Sequence, residues 1–183
     1  MKALRLVKAA QEHEFEALSF IAEFVKVGEG NDIHGSAGLD KFLAFNWGYQ
    51  AWLQEIEQQD GENDLGYKRV PSTVFFLMNE QQSEILGMIN IRHQLNEHLM
   101  QIGGHIGYGI RPSKRRQGLA TAMLGLALSE TKKLGIEKAL ITCYQDNIAS
   151  ARTIQKNGGQ LENEFLDKKT NRIIQRYWIT LKS

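Results

Sequence analysis

The chain has 183 residues, 22 lysines and arginines, 21 aspartates and glutamates, and a formal net charge of +1. This balance, with the basic residues scattered, argues against a nucleic-acid partner. The single cysteine, Cys143, excludes an internal disulfide and a multi-cysteine zinc site, and it fits a reducing compartment. No apolar run approaches the roughly 20 residues of a membrane span, and the charged N-terminus is unlike a signal peptide. We therefore expect a single cytoplasmic domain over residues 1–183, without a membrane partner.

Hydrophobic periodicity predicts seven strands and four helices. The strands are predicted at 4–7, 73–78, 85–93, 102–110, 138–143, 159–165 and 172–181, and the helices at 11–27, 39–56, 119–134 and 148–157. The glycine-rich segment 28–38 and the polar segment 59–71 are predicted as loops. The order combines an antiparallel meander with two strand–helix–strand crossovers. It predicts an α/β (α+β) fold, in which helices cover a mixed, mostly antiparallel sheet.

The run RRQGLA, residues 115–120, follows a predicted strand and opens a predicted long helix. Helix N-termini carry unpaired N–H groups and a partial positive charge, so they favour phosphate. Gly118 would let the backbone approach a phosphate closely, and Ala120 would keep the first helical turn narrow. The chain contains no nucleotide-triphosphate P-loop, and the glycine pair before this turn does not complete a dinucleotide fingerprint. The turn thus predicts a different phosphorylated cofactor.

This turn resembles the acetyl-CoA signature Gln/Arg-x-x-Gly-x-Gly/Ala of the GNAT N-acetyltransferase superfamily, with Arg115, Gly118 and Ala120 at the defined positions. Residues 146–159 resemble the second cofactor-contacting segment of that family. The stretches GMINIRH, GGHIGYGIRP and DNIASA resemble a bacterial branch of uncharacterised predicted acetyltransferases. The resemblance implies acetyl-CoA as co-substrate and a GNAT-like sheet of about seven strands flanked by about four helices. It implies cofactor contacts at Gly107, Tyr108, Ile110, Arg115, Arg116, Gln117, Gly118, Leu119, Ala120, Thr121, Asn147 and Ser150.

The strand before the turn carries glycines and His105 on one face, with Ile106, Tyr108 and Ile110 on the other. Glycines weaken a strand, so three on one face predict the close approach of a ligand or of another backbone segment. In GNAT enzymes this strand is bulged, and its backbone pairs with the pantetheine arm of the cofactor. By resemblance, an N–H group of this strand would polarise the thioester carbonyl.

His105 lies beside the space that these glycines clear. Its ordinary pKa near about 6.5 suits a general base that takes a proton from an ammonium substrate. The alternative is a histidine that is hydrogen-bonded within the sheet.

The resemblance departs from the family at Ile154, where many GNAT enzymes carry the tyrosine that protonates the leaving thiolate. Tyr177 is a candidate replacement acid, as is Tyr144, and the alternative is that both are packing residues. Water could also protonate a thiolate whose pKa lies around 8.5.

Asn90 and Arg92 share one face of the strand 85–93, where they either face solvent or line a substrate cleft. The spacing of His93, His98 and His105 matches no zinc pattern, so no metal site is predicted. Cys143 ends an apolar strand and is predicted to be a buried structural thiol.

The two loops and the helix between them lie where this fold builds its acceptor site, and they are rich in carboxylates. These carboxylates are Glu29, Asp32, Asp40, Asp60, Glu62 and Asp64. They suit a cationic amine, and the alternative is ordinary solvated loop charge. We expect an N-acetyltransferase in which a primary amine of a small-molecule or peptide acceptor attacks the thioester of acetyl-CoA directly. The alternative is a non-catalytic acyl-CoA-binding sensor, and the edge of the terminal strand pair offers a surface for a homodimer.

Overall fold

The computed structural model describes residues 4–58, 68 and 70–181. Within them, seven strands form two antiparallel sheets, one of order β1-β2-β3-β4 and one of order β5-β7-β6. The strands are β1 Arg5–Lys8, β2 Ser72–Met78, β3 Ile85–Arg92, β4 Ile106–Ile110, β5 Lys138–Tyr144, β6 Gln160–Asp167 and β7 Arg172–Thr180. The helices are α1 Glu14–Lys26, α2 Leu39–Ala44, α3 Gly48–Glu57, α4 Glu97–Gln101, α5 Leu119–Lys133 and α6 Ile148–Lys156.

The predicted fold class and the seven strands are confirmed, while the sheet is divided in two and the described chain has six α-helices instead of four. The predicted helix 39–56 is broken because Asn46 and Gly48 adopt left-handed φ values of 59° and 81°. Helix α4 was not predicted; it begins after Asn96, whose side chain accepts from the N–H of Leu99 at 2.9 Å. As a result, the strand predicted at 102–110 begins only at Ile106.

The first sheet is buried on both faces, which explains the continuous apolar character of β3. On one face Phe76 and Met88 pack with residues of α1 to α3, including Trp52. On the other face Ile89 packs in a second cluster that includes Met123 of α5. Within the described residues, no helix is both long and apolar enough to cross a membrane.

The two sheets are joined by a short junction just before β4. The N–H of Gly103 donates to Oγ1 of Thr142 at 2.8 Å, and the N–H of His105 donates to the carbonyl of Leu140 at 2.7 Å. The N–H of Leu140 in turn donates to Nδ1 of His105 at 2.9 Å. Beyond this junction, in the described structure, β4 pairs only with β3 and β5 pairs only with β7. A wedge therefore opens between β4 and β5, and one backbone edge of β4 faces it.

Part of the predicted loop 28–38 lies directly on the first sheet. A Cβ atom at Gly35 would lie 2.4 Å from the carbonyl oxygen of Met88, and one at Gly109 would lie 2.6 Å from that of His34. At Gly109 the close approach predicted for the glycine face is thus made by another backbone segment. A Cβ atom at Gly107 would have its nearest neighbour at 3.6 Å. The register of β3 with β4 is continuous, so the bulge that the resemblance implied for this strand is absent from β4.

We expect Gly35→Ala to destabilise the fold more than Gly28→Ala. Both glycines have a left-handed φ, of +86° and +78°, so both substitutions carry the same type of backbone strain. Only at Gly35 would the new methyl group also overlap backbone atoms, and Gly28 has open space around it. Overpacking of this kind costs about 1–3 kcal/mol. Urea unfolding of the two variants should show the difference, and equal free energies of unfolding would contradict the close packing of this loop.

Candidate active site

The turn between β4 and α5 presents a row of backbone donors. Arg116 and Gly118 have left-handed φ values of 63° and 77°, and α5 begins at Leu119 without a side-chain cap. In the described structure, the N–H groups of residues 116–121 have no intramolecular acceptor. Because α5 has 15 residues, its partial positive charge adds to these donors. The turn is therefore suited to bind a phosphate group.

Two carboxylates, one in α1 and one in the loop after it, bind residues of this turn. Arg115 forms two hydrogen bonds with Glu29, at 2.9 and 2.5 Å, and its guanidinium lies 5.3 Å from the centre of the Phe24 ring. The hydrogen bond to Glu29 raises the pKa of Arg115. Glu23 accepts from the N–H of Ser113 at 2.6 Å. The Arg115 side chain thus anchors the turn.

Arg116 and Gln117 have exposed side chains, while Leu119, Ala120 and Thr121 are half-buried in the first turn of α5. These residues leave the outer side of the turn open. A bound anion would meet the Arg116 guanidinium and the backbone donors there.

Tyr108 and Ser150 lie in contact across the wedge. The Tyr108 hydroxyl lies 2.9 Å from Oγ of Ser150, which connects β4 to the first turn of α6. Burial raises the pKa of Tyr108 to about 12, so its hydroxyl is protonated at neutral pH. Asn147 caps α6 by accepting from the N–H of Ser150 at 3.1 Å. The sequence predicted these residues as cofactor contacts but gave no signal for the contact between the two side chains.

His105 is buried within the junction between the sheets. Because Nδ1 accepts from the N–H of Leu140, the neutral ring carries its proton on Nε2. Burial lowers the pKa of His105, and the charge of Arg92 acts in the same direction. This geometry favours the alternative in which the ring is hydrogen-bonded within the sheet, since a proton could be taken up at Nδ1 only by giving up that bond.

The two candidate replacement acids are both engaged with neighbouring side chains. Tyr177 is 1% exposed, and its hydroxyl donates to Oε1 of Gln175 at 2.8 Å. The guanidinium of Arg172 lies 3.5 Å from the centre of the Tyr144 ring. Both contacts are typical of packing residues.

Cys143 is buried, as predicted, and burial raises the pKa of its thiol to about 11. A buried thiol with such a pKa is a poor nucleophile at neutral pH.

Asn90 and Arg92 lie on the β3 face that loop 33–38 covers. Asn90 is 6% exposed and lies opposite Gly107 in the β3–β4 register. Arg92 is half-buried, and its Nη1 donates to the carbonyl of Gly104 at 3.0 Å. Asn90 is thus shielded from bulk solvent, and Arg92 lies at the junction where the wedge opens.

The predicted acidic residues of the described loop are occupied within the protein. Glu29 pairs with Arg115, and Asp32 pairs with Lys41 at 2.8 Å. Asp40 accepts from the Ser36 hydroxyl and from the N–H of Ile33. Asp60, Glu62 and Asp64 lie outside the described residues. In the described part of the chain, no group of three His, Cys, Asp or Glu side chains could hold a metal ion.

Comparison with known proteins gives a family match over much of the chain. The family model for the acetyltransferase (GNAT) domain matches residues 36–160. No curated protein matches the sequence significantly.

Solved structures share the fold at low sequence identity. RimL, a ribosomal-protein alpha-N-acetyltransferase in complex with coenzyme A, is 15% identical with a TM-score of 0.67, over 98% of this chain and 95% of that one. The putative acetyltransferase yncA from Salmonella typhimurium, with acetyl-CoA, is 14% identical with a TM-score of 0.63, over 99% and 95%. Spermidine N-acetyltransferase from Vibrio cholerae is 13% identical with a TM-score of 0.62, over 98% and 93%. The family match shows that this chain belongs to the GNAT acetyltransferase family.

Proposed function

We propose that this protein is an N-acetyltransferase that transfers the acetyl group of acetyl-CoA to a primary amine of a small molecule or peptide. The observation that carries the proposal is the set of unpaired N–H groups at residues 116–121, next to the open edge of β4. A diphosphate needs such donors, and an extended amide-containing arm can pair with a free strand edge. Family membership supports the same cofactor.

In the proposed reaction the neutral amine attacks the carbonyl carbon of the thioester, and the carbon–sulfur bond breaks. The amine loses one proton and the departing thiolate gains one, so an ammonium substrate yields amide, free thiol and one proton. The backbone of Gly107, Tyr108 and Ile110 would hold the pantetheine arm. Residues 115–121 would hold the diphosphate.

The exposed Arg116 allows a direct test of the diphosphate site. We expect Arg116→Ala to weaken coenzyme A binding roughly tenfold, because a hydrogen bond to a charged group contributes about 1.5–3 kcal/mol. Isothermal titration calorimetry would measure the affinity. Lys132→Ala, which removes one charge at the other end of α5, is the matched control and should leave it unchanged. Equal losses in both variants would point to bulk charge instead of a site at the turn.

We infer that the Tyr108 phenol protonates the leaving thiolate. Ser150, which it contacts, lies one helical turn before Ile154 on the same face of α6. Tyr108 thus brings a hydroxyl from β4 to the part of α6 where many relatives are expected to carry a tyrosine. Its phenol is protonated at neutral pH, and its half-buried side chain reaches across the wedge, whereas Tyr177 is fully buried.

We expect Tyr108→Phe to lower kcat about 100-fold, within the range for loss of a general acid. Tyr177→Phe should keep kcat within about threefold for the folded protein, since it removes only a packing contact. Steady-state thiol release, corrected for the folded fraction, would measure both. The opposite order of effects would identify Tyr177 as the acid.

His105 can be tested with two replacements that separate a base from a positioning residue. His105→Asn keeps an acceptor near the N–H of Leu140, whereas His105→Ala leaves that buried donor unpaired at about 1–3 kcal/mol. We expect the alanine variant alone to lose stability and the asparagine variant to keep most of the turnover. If His105 is the base, kcat should fall about 100-fold in both variants. The acidic limb of the pH–rate profile should also disappear in both.

The same residue predicts a pH dependence of stability. Burial lowers the pKa of folded His105, so the unfolded chain binds the proton first as the pH falls through about 6.5. The free energy of unfolding should therefore decrease below that pH. His105→Asn should make the decrease shallower, and an unchanged slope would exclude this contribution.

The absence of a tyrosine at Ile154 keeps a second candidate function in view, a non-catalytic acyl-CoA sensor. Tight binding of acetyl-CoA without thiol release for any amine or peptide in a broad screen would favour the sensor.

We also propose a homodimer through the outer strand β6, because β6 has one unpaired edge in the described structure.

A further inference from the structure

Arg92 is a half-buried cation for which the described part of the chain supplies no counter-ion. Its Nη1 donates to the carbonyl of Gly104 at 3.0 Å, and no carboxylate lies within ion-pair distance of it among the described residues. Burial lowers the pKa of Arg92 to about 10. Buried charges are ordinarily paired, because an unpaired one loses its hydration without compensation. An anion that binds there would remove this cost.

The position of Arg92 excludes the diphosphate of the cofactor as that anion. Arg92 lies beside Gly104 and Gly107, at the start of β4, whereas the turn at residues 116–121 follows its end. A strand rises about 3.4 Å per residue, so β4 alone spans roughly 14 Å from Ile106 to Ile110, and Gly104 lies before it. A diphosphate at the turn therefore cannot reach Arg92. The anion must belong to a molecule that enters at the other end of the wedge, where the acceptor would meet the acetyl group.

Asn90 adds a second unsatisfied group on the same face of the sheet. Its Oδ1 atom is buried and has no hydrogen-bond partner in the described structure. Asn90 and Arg92 are two positions apart on β3, so their side chains start roughly 7 Å apart on one face. The Asn90 oxygen lacks a hydrogen-bond donor, and the Arg92 guanidinium lacks an anion, among the described residues. A ligand with both an N–H group and a negative charge would satisfy the pair.

The surroundings favour a single negative charge at this site. The carboxylates of loop 28–38 and α2 are already paired, so they do not neutralise Arg92. Arg172 is paired with Asp146 at 2.5 Å, so it adds little net charge. A single negative charge would therefore balance the Arg92 guanidinium, which has no ion-pair partner among the described residues. Its planar donors also match the two oxygens of a carboxylate.

We propose that the acceptor amine carries a carboxylate, which binds Arg92 while an N–H group of the acceptor donates to Asn90. The acceptor class is therefore an amino acid or another amine with a free carboxylate. The inference rests on the proposed acetyltransferase function, on the unpartnered oxygen of the buried Asn90 and on the charge of the half-buried Arg92.

The first experiment compares acids with their amides. Protein saturated with acetyl-CoA is screened against free amino acids and the corresponding amino acid amides, with thiol release and mass spectrometry as readouts. We expect kcat/KM to be at least about 100-fold higher for the acids that react, since an unpaired buried charge penalises the amide. Equal or faster transfer to the amides would overturn the inference and leave the proposed function intact. Failure to bind acetyl-CoA would instead contradict the function.

Variants of Arg92 separate acceptor recognition from stabilisation of the reacting carbonyl. Arg92→Met should raise KM for the acids and leave turnover of the amides within about threefold, and Arg92→Lys should recover part of the difference. A loss of kcat of equal size for acids and amides would show that Arg92 acts on the thioester, and the inference would fail. Arg5→Met, at an exposed position of β1, is the matched control for loss of one positive charge.

A binding measurement tests whether Arg92 binds a carboxylate even if none of the screened amines reacts. The Nε–Hε signal of Arg92, assigned by its absence in Arg92→Lys, is followed by NMR in the presence of coenzyme A. N-acetylglycine should shift this signal, and N-acetylglycinamide should not. A signal that the acid leaves unchanged, or that inorganic phosphate shifts more strongly, would overturn the carboxylate assignment.

Discussion

The hydrogen bonds between His105 and Leu140 are the constraint on which the site depends. They join the two sheets at one point, where a side chain takes the place of a backbone acceptor. Since an imidazole cannot extend a ladder, β4 and β5 are free to part beyond it, and one edge of β4 stays unpaired. The wedge that can accept an extended cofactor arm therefore begins at this residue. Arg92 lies at the same point, because its N–H donates to the carbonyl of His105 at 2.7 Å.

A second constraint is the backbone contact between loop 33–38 and the first sheet. Gly35 and Gly109 remove the side chains that would hold the two layers apart. The loop consequently covers the β3 face that carries Asn90 and Arg92, so that Asn90 is buried and Arg92 is half-buried. This face of β3 lies away from the turn at residues 116–121, and its Arg92 guanidinium is a positive charge that an anion can pair with.

Local patterns were sufficient for the seven strands and for the turn that we propose as the phosphate site. The apolar periods located all seven strands, and Gly118 before a long helix located the turn because its signal lies within a few residues. The break at Asn46 and the short helix α4 were missed, since each depends on a left-handed residue or a single cap that packing selects. The loop carboxylates suggested a cationic acceptor, and the partners that occupy them, such as Arg115 for Glu29, are remote in sequence.

The sequence by itself determined the family, the order of the main elements and the turn that we propose for the diphosphate, because each depends on contiguous residues. Only the tertiary structure decided what His105, Tyr108 and Arg92 can do. His105 became the acceptor for Leu140, Tyr108 reached Ser150, and Arg92 was left without a counter-ion among the described residues. The reason is physical: protonation, hydrogen bonding and charge pairing depend on burial and on neighbours that the fold brings from distant parts of the chain.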